Sequence, residues 1–271
     1  MLKRLALSII FAAVSTATLR ADTLKETFDR TYDLSAGSTF SLSNVNGRVR
    51  VTSWDQPRVK VHAEKSVRTR NAEDAKQAMA ALRIDVTARP GELKIETHTP
   101  KSGDDWGILQ LLSGSHVESN VDYEIVVPRQ MRSVAAETVN GAIEATDLKG
   151  NIRLETTNGR IDATRCSGRV NASTTNGGIH AQLSAVDAAS HMTFETTNGA
   201  IAVELPASFS ARVDAETTNG AVETDFPVTV NGTQKNELHG LIGNGGGAEL
   251  KLSTTNGAIH IKRAGSGAAP M

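Results

Sequence analysis

From residue 137 onward, apolar and polar residues alternate in short runs that end in the same polar sequence motif. Ile152 and Leu154 alternate with Asn151 and Arg153, for example, and Glu155-Thr156-Thr157-Asn158-Gly159 follows. Alternation with a period of two is typical of a β-strand that buries one face and exposes the other. The pattern therefore predicts a series of short strands.

This polar motif recurs along the chain. Close copies are Glu155-Thr156-Thr157-Asn158-Gly159, Ser173-Thr174-Thr175-Asn176-Gly177, Glu195-Thr196-Thr197-Asn198-Gly199, Glu216-Thr217-Thr218-Asn219-Gly220 and Ser253-Thr254-Thr255-Asn256-Gly257. Looser copies end at Asn46-Gly47 and Asn140-Gly141. Repetition of this kind is typical of architectures in which each unit buries its apolar side only by stacking on its neighbours.

The spacing of the repeats predicts the fold. Asn140, Asn158 and Asn176 are eighteen residues apart, and glycines also occur halfway between them, at Gly150 and Gly168. Two short strands and two turns fill such a unit. We therefore expect an all-β, two-sided parallel β-solenoid (a β-helix) with about 18 residues per coil. Because parallel crossovers are overwhelmingly right-handed, we expect a right-handed solenoid.

The Asn-Gly pairs are predicted to form a structural turn ladder. Gly adopts positive φ freely and Asn does so better than most residues, which suits a bend between two sheets. Stacked in register, the asparagines would lie about 4.8 Å apart with their amides hydrogen-bonded. An Asn-Gly hairpin is the other interpretation, but it does not explain a fixed period. The predicted ladder residues are Asn140, Gly141, Asn158, Gly159, Asn176, Gly177, Asn198, Gly199, Asn219, Gly220, Asn256 and Gly257.

The N-terminal segment, residues 1–21, has the composition of a secretory signal peptide. Lys3 and Arg4 precede a short apolar run, and small residues follow, with cleavage possible after Ala17 or Ala21. Its removal takes away three basic residues and no acidic one, so the formal net charge of -1 becomes -4. This near balance gives no indication of a nucleic-acid partner, and no stable membrane span is expected after signal removal.

The rest of the chain is predicted to fall into three parts. Residues 22–130 form a β-rich cap whose single helix covers 71–82, with Asn71 as N-cap. Residues 131–263 form the repeats, and the Gly- and Ala-rich residues 264–271 form a disordered tail. Within the cap, the apolar tip of a polar loop, Trp106, Ile108 and Leu109, is either a candidate contact site or a segment that folds back on the body.

The repeat becomes irregular after Asn176. The next Asn-Gly spacings are 22, 21 and 37 residues, and the extra residues of the first two fall at the corner opposite Asn-Gly, at 184–190 and 206–210. Insertions on one side often mark the working face of a solenoid. The longest interval, residues 220–256, is either one large loop or an irregular coil.

Taken together, these motifs resemble a known family. Asn44-Val45-Asn46-Gly47, Ser53-Trp54-Asp55, the helix, the strand from Val121 to Pro128 and the Thr-Thr-Asn-Gly repeats are similar to the bacterial putative-adhesin family. This is a family of exported β-solenoid proteins of unknown function, related to auto-transporter-adhesin-head-like domains. The resemblance covers residues 24–262. It implies no catalytic residues, and the word adhesin describes an architecture.

The search for chemistry yields no predicted catalytic residue, metal site or cofactor. The seven histidines lack metal-ligand spacing, and the lone Cys166 is interpreted as a buried hydrophobe. Glu195 and Glu216 occupy equivalent positions and are expected to stack as neighbours, as a carboxylate pair of a glycosidase would. Equivalent positions of a repeat, however, often carry the same residue simply because the unit is repeated, so this match does not indicate an active site.

The sequence therefore favours a non-catalytic exported protein, in the periplasm or at the cell surface. It would be an adhesin-like binding or structural module with an unidentified protein or glycan partner. Two alternatives stay open: a carbohydrate-active enzyme on a β-helix scaffold, and an accessory component of envelope-stress signalling.

Overall fold

A computed structural model describes residues 23–69, 72–99, 117–187 and 189–265. In these residues the chain forms twenty strands and one helix. The elements are β1 (Thr23–Asp33), β2 (Thr39–Ser43), β3 (Val49–Trp54), β4 (Arg58–Arg68), α1 (Ala72–Ala81), β5 (Arg83–Arg89), β6 (Glu92–His98), β7 (Glu118–Pro128), β8 (Gln130–Asn140), β9 (Ile143–Thr146), β10 (Lys149–Asn158), β11 (Ile161–Asn176), β12 (Ile179–Ala185), β13 (His191–Asn198), β14 (Ile201–Leu205), β15 (Ala211–Asn219), β16 (Val222–Thr224), β17 (Val228–Gln234), β18 (Glu237–Ile242), β19 (Ala248–Asn256) and β20 (Ile259–Arg263).

The strands bury every second side chain, as the alternation predicts. In β10, Ile152, Leu154 and Thr156 are buried while Arg153 lies outside. Matching apolar side chains of successive strands, such as Ile143, Ile161 and Ile179, belong to one continuous hydrophobic cluster. The interior is therefore a thin slab of aliphatic side chains between two layers of strands.

The strands pair in two rows, here called the first and second sheet. The order in the first sheet is β5, β6, β2, β8, β10, β11, β13, β19, β15, β18, β17. The order in the second sheet is β1, β4, β7, β3, β9, β11, β12, β14, β20, β16. The long strand β11 contributes its first half to the second sheet and its second half to the first. The pairings give an all-β, solenoid-like body in which the two sheets form the layers on either side of the core.

Parallel pairing in register dominates the middle of both sheets. Asn158 pairs with Asn140 on one side and with Asn176 on the other, each eighteen residues away. The Asn-Gly pairs thus lie between strands of different sheets, and a hairpin at these positions is excluded. The handedness of the winding stays a prediction.

At both ends the stacking order differs from the order of the sequence. The last strands of the chain, β19 and β20, lie between β13–β14 and β15–β16. Likewise β2 and β3, the first coil, lie between β6–β7 and β8–β9. The expectation that Asn198 and Asn219 are adjacent is therefore wrong, because Asn256 pairs with both of them.

The two ends are closed by antiparallel strands. At the N-terminal end β5 pairs with β6, and β1 and β4 extend the second sheet from β7. At the other end the hairpin β17–β18 pairs with β15. The interval 220–256 is therefore neither a loop nor an irregular coil. It contains β16, this hairpin, and the strand β19 of the inserted coil.

The helix α1 covers Ala72–Ala81, which is close to the predicted 71–82. Ala75, Ala78 and Met79 form its buried face, and the helix contacts β4 and β1. The predicted N-cap Asn71 lies outside the described residues, as do the signal segment, the contact loop with Trp106, Ile108 and Leu109, and residues 266–271 of the tail. Parallel pairing joins β2 to β8 and β3 to β9, and so continues across the predicted boundary at residue 130. The strands β2 and β3 of the predicted cap therefore form a coil of the same body as the repeats.

Candidate functional site: the insertion corner

Each coil turns at two corners, and the Asn-Gly corner is the more regular. A Cβ added to Gly159 would lie 2.0 Å from the carbonyl oxygen of Gly141, and one added to Gly177 would lie 2.0 Å from that of Gly159. Such distances leave room only for hydrogen, so glycine is required by the close approach of the backbones. The expected role of positive φ at the asparagines is wrong. Among the described residues only Asp147 and Arg165 have positive φ without being glycine.

The asparagine side chains form a continuous hydrogen-bonded ladder. Asn158 Nδ2 donates to Asn140 Oδ1 over 2.8 Å, and the same bond joins each rung to the next. The order of the rungs is Asn46, Asn140, Asn158, Asn176, Asn198, Asn256 and Asn219. Every bond has the same direction, with the Nδ2 group donating toward the Asn46 end. The role of the asparagines is therefore to connect the coils through their side chains.

The first threonine of each repeat is buried beneath this ladder. Thr174 is 5 % exposed, and its Oγ1 donates to the carbonyl oxygen of Gly159 over 2.9 Å. Thr156, Thr196, Thr254 and Thr217 make the same bond to the glycine of an adjacent coil. The second threonine of each repeat is exposed. Along the stacked coils, the Asn-Gly corner is thus occupied mainly by structural contacts.

The opposite corner is held by ion pairs in the N-terminal half of the body. Arg129 donates to both carboxylate oxygens of Asp55, and Arg165 to both of Asp147 at 2.8 Å. The hydrogen bond from Arg165 lowers the pKa of the Asp147 carboxyl below its usual value. Asp147 and Arg165 adopt φ of 59° and 53°, a region that only short polar residues and glycine tolerate well.

In the C-terminal half, the same corner opens into a pocket. Residues 184–187 and 206–210, here called the insertion corner, belong to the coils that follow Asn176 and Asn198, which are 22 and 21 residues long. The pocket has a volume of about 310 Å³, within the range of small-molecule sites. It is lined by Ser184, Val186, Asp187, Ser208, Phe209 and Gly246.

Local contacts position the walls of this pocket. Pro206 begins a turn in which its carbonyl accepts from the Phe209 amide at 2.9 Å, and Phe209 packs edge-on against Phe226. Ser210 Oγ accepts from the Gly246 amide at 3.0 Å, which joins the glycine-rich segment to the corner. The exposed Asp187 carries the carboxylate among the pocket residues. A largely apolar wall with one carboxylate and several hydroxyls can bind a ligand.

The thiol nearest to this corner belongs to Cys166. Ser184 Oγ donates to its carbonyl oxygen at 3.2 Å, but the Cys166 side chain is 0 % exposed. Burial raises the pKa of its thiol to about 11, so it is protonated and inert at neutral pH. Cys166 is therefore a buried hydrophobic residue of the core.

The carboxylates that the sequence suggested as a pair are not neighbours. Glu195 pairs in register with Ser253, and Ser253 pairs with Glu216. The two glutamates are therefore two strand spacings apart, about 9.6 Å. Glu195 lies 3.4 Å from Lys251, and Glu216 accepts from Ser253 Oγ at 3.3 Å. Their expected adjacency is wrong for the same reason as that of Asn198 and Asn219.

The histidines of the described chain lie beside acidic residues. His62 Nδ1 is 2.7 Å from Asp29, and His191 Nδ1 is 2.8 Å from Glu249. The other pairs are His98 with Asp85, His180 with Glu204, His239 with Asp214 and His260 with Glu223. No cluster of three or more metal-ligating side chains occurs in the part of the chain that the structure describes.

The pairing and the repeats define a class, that of repeat proteins built from two stacked, mainly parallel β-sheets. The chain belongs to the Toastrack DUF4097 family, whose model matches residues 35–262. The resemblance of the motifs to a family of unknown function is confirmed. Comparison with curated proteins finds no match.

Solved structures similar to this chain share little sequence with it. A "putative cell adhesion protein" from Clostridium sporogenes ATCC 15579 is 14 % identical, with a TM-score of 0.47, over 88 % of this chain and 98 % of that one. A "putative adhesin" from Bacteroides fragilis NCTC 9343 is 11 % identical, with a TM-score of 0.38, over 88 % and 97 %. A "putative adhesin" from Parabacteroides merdae ATCC 43184 is 11 % identical, with a TM-score of 0.25, over 87 % and 96 %.

A helix that crosses a membrane needs about twenty consecutive, mainly apolar residues. Within the described ranges no helix has the length and apolar character needed to cross a membrane.

Proposed function

We propose that this protein is a non-catalytic, exported module of the cell envelope or cell surface that binds a protein or glycan partner at the insertion corner. The observation that carries the proposal is the coincidence of two features. The coils lengthen at one corner only, between Asn176 and Asn219, and the 310 Å³ pocket lies at that corner. Insertions on one side of a repeat scaffold often form its binding face.

The scaffold supports this role because the corner is anchored in the hydrophobic core and in paired strands. Phe209 is 7 % exposed and belongs to the main hydrophobic cluster, and β12, β14 and β15 enter the corner from paired strands. A preformed pocket binds with less loss of conformational freedom than a flexible loop does. The stacked coils therefore act as a support that presents one surface.

Export is the second part of the proposal. Its support is the composition of residues 1–21, in which a basic start precedes a short apolar run and small residues. Fractionation of cells that make the full chain with a C-terminal tag tests it. We expect the tagged protein in the periplasmic or surface fraction, shortened by a segment of this size. Full-length protein in the cytoplasm would contradict export.

The binding test uses the purified full chain on a glycan array and in cross-linking to isolated cell envelopes. Ser208→Trp fills the pocket from an exposed position and is expected to abolish capture. Thr157→Trp places the same bulk on the exposed Asn-Gly corner and is the matched control. Equal capture by native protein and Ser208→Trp would contradict a site at the insertion corner.

The non-catalytic part is tested with polysaccharide substrates. We expect no turnover by the purified protein. Turnover that Glu195→Gln or Glu216→Gln abolishes would contradict it and support the carbohydrate-active alternative.

A further inference from the structure

The asparagine ladder has one rung that differs from the others, and it lies at the spatial end of the stack. In six of the seven Asn-Gly pairs of the ladder, the glycine amide donates to the backbone carbonyl of the asparagine in the adjacent coil. The donors are Gly47, Gly141, Gly159, Gly177, Gly199 and Gly257, at 2.8 to 3.1 Å. The seventh pair is Asn219-Gly220. Among the residues that the structure describes, the Gly220 amide donates to no acceptor.

The side chain of this rung is also less restrained. Each of the other six asparagines uses Oδ1 to accept from one neighbour and Nδ2 to donate to another group. Asn219 keeps only the bond from its Nδ2 to Asn256 Oδ1, at 2.8 Å. Its Oδ1 accepts from no group of the described chain.

The closing hairpin explains why this corner is left open. Thr217 N donates to Asn236 O at 2.9 Å, and Val222 N donates to Lys235 O at 3.1 Å. The hairpin therefore covers the strand before the corner and the strand after it. Between these two bonds, Asn219 and Gly220 lie at the edge with no further rung stacked on them.

Asn-Gly is the dipeptide most prone to spontaneous deamidation, because glycine does not hinder ring closure. The backbone nitrogen of glycine attacks Cγ of the asparagine side chain, a five-membered succinimide closes, and ammonia carries away the side-chain nitrogen with the proton of the amide. Water then opens the ring at either carbonyl and leaves aspartate or isoaspartate. The reaction needs a free glycine nitrogen and a side chain able to rotate toward it.

We propose that Asn219 is a site of spontaneous deamidation and that the stacked asparagines of the ladder are protected from it by their hydrogen bonds. The product places a carboxylate at the end of the ladder. A carboxylate cannot donate to Asn256 Oδ1, and isoaspartate also lengthens the backbone by one carbon. The modification therefore removes the side-chain bond between the last rung and Asn256, while the backbone pairing of β15 with β19 and of β16 with β20 remains. The inference does not depend on the binding proposal.

The chain contains its own matched controls. Asn198, Asn219 and Asn256 lie in the identical sequence Thr-Thr-Asn-Gly-Ala, so their intrinsic reactivities are the same. The experiment incubates the folded full chain in mildly alkaline buffer and follows the three sites by proteolysis, mass spectrometry and isoaspartate detection. Fragment sequencing separates Asn219 from Asn231, which shares a tryptic peptide with it.

We expect Asn219 to deamidate about thirtyfold faster than Asn198 and Asn256, which corresponds to two additional hydrogen bonds of ordinary strength at each protected site. In denaturant the three sites should react at equal rates, which assigns the difference to the fold. Equal rates in the folded protein, or faster reaction at Asn198 or Asn256, would overturn the proposal.

A variant tests independently whether Asn219 is the reactive site. Asn219→Gln keeps an amide but reacts much more slowly, because its ring would have six members. We expect it to remove the early isoaspartate signal of the Thr-Thr-Asn-Gly-Ala sites while leaving the rates at Asn198 and Asn256 unchanged. An unchanged early signal from these sites would contradict Asn219 as its source.

Discussion

The two corners of each coil perform the same turn by different means. At the Asn-Gly corner, glycine backbones lie in direct contact, threonines bond beneath them and asparagines bond above them. At the opposite corner, exposed ion pairs such as Asp147 with Arg165 connect successive coils. The insertions of the later coils and the pocket beside them lie at the second corner.

The difference shows where a repeat protein can acquire a site. An added residue at the Asn-Gly corner would break three columns of contacts at once, because each column needs every rung in register. Exposed ion pairs contribute less than about 1 kcal/mol each, so their corner can be lengthened at small cost. The regular corner therefore maintains the stack, and the irregular corner is free to vary.

The largest expected effect comes from a methyl group at the regular corner. Gly159→Ala places a Cβ 2.0 Å from the Gly141 carbonyl oxygen, and neither backbone can move without disturbing its neighbours. We expect a loss of about 3 kcal/mol or more of unfolding free energy, measured by denaturant titration. Gly246→Ala is the control at the other corner, since its Cβ would lie 3.4 Å from Ser210 O. A similar loss in both variants would contradict the contrast between the corners.

A smaller effect is expected from the threonine column. Thr174→Val keeps the shape of a buried side chain but removes its bond to Gly159 O, which should lower the unfolding free energy by about 1 to 2 kcal/mol. Thr175→Val alters the adjacent exposed side chain and should change stability by less than about 0.5 kcal/mol. The loose copy already carries a valine there, Val139. If Thr175→Val costs as much as Thr174→Val, the buried bond is not the cause.

The ion pair at the opposite corner should contribute less still. Asp147→Asn removes the charge but suits the positive φ, and both partners are more than one-third exposed, so we expect a loss below about 1 kcal/mol. Because Arg165 lowers the pKa of Asp147, the contribution is present above the unfolded-state pKa of about 3.9 and disappears as the pH falls through the lower folded-state pKa. Denaturant titrations of both proteins at several pH values and salt concentrations measure it. A difference that grows toward low pH would contradict the assignment.

Alkylating reagents should react only slowly with Cys166 in the native protein. Its thiol is buried at the opposite corner and its pKa is raised to about 11, so labelling at neutral pH requires local opening. We expect slow labelling of the native chain and rapid labelling in denaturant, followed by mass spectrometry. Asp147→Asn should accelerate native labelling if the ion pair holds this corner closed. Rapid labelling of the native protein would show that the corner is open.

Much of the body could be predicted because each local pattern agrees with the stacking. The alternation around Ile161 and Ile179 defines the buried face, and the eighteen-residue spacing of Asn140, Asn158 and Asn176 defines their register. The ladder follows from these two observations alone. Of the two reasons for its asparagines, the hydrogen-bonded amides agree with the structure and the positive φ does not, because a sequence alone cannot distinguish these two needs.

The order of the terminal coils could not be predicted. Asn198, Asn219 and Asn256 share one local sequence, so any of them fits beside any other. Their order is decided by the hairpin β17–β18, which pairs with β15 and leaves the place between β13 and β15 to β19. The insertions at 184–190 and 206–210 were visible as altered spacings. The pocket between them depends on the packing of Phe209 against Phe226, which no local pattern shows.

The inward position of β19 and β20 determines how the body responds to shortening from its C-terminus. Loss of residues 248–263 would excise an internal layer, because the coil formed by β15 and β16 stands beyond it. The two coils on either side would then face each other across an empty layer with both edges unpaired. A ribosome or a translocation channel releases β19 and β20 after the strands on either side of them, so this part of the stack closes only when the later strands insert between the earlier ones.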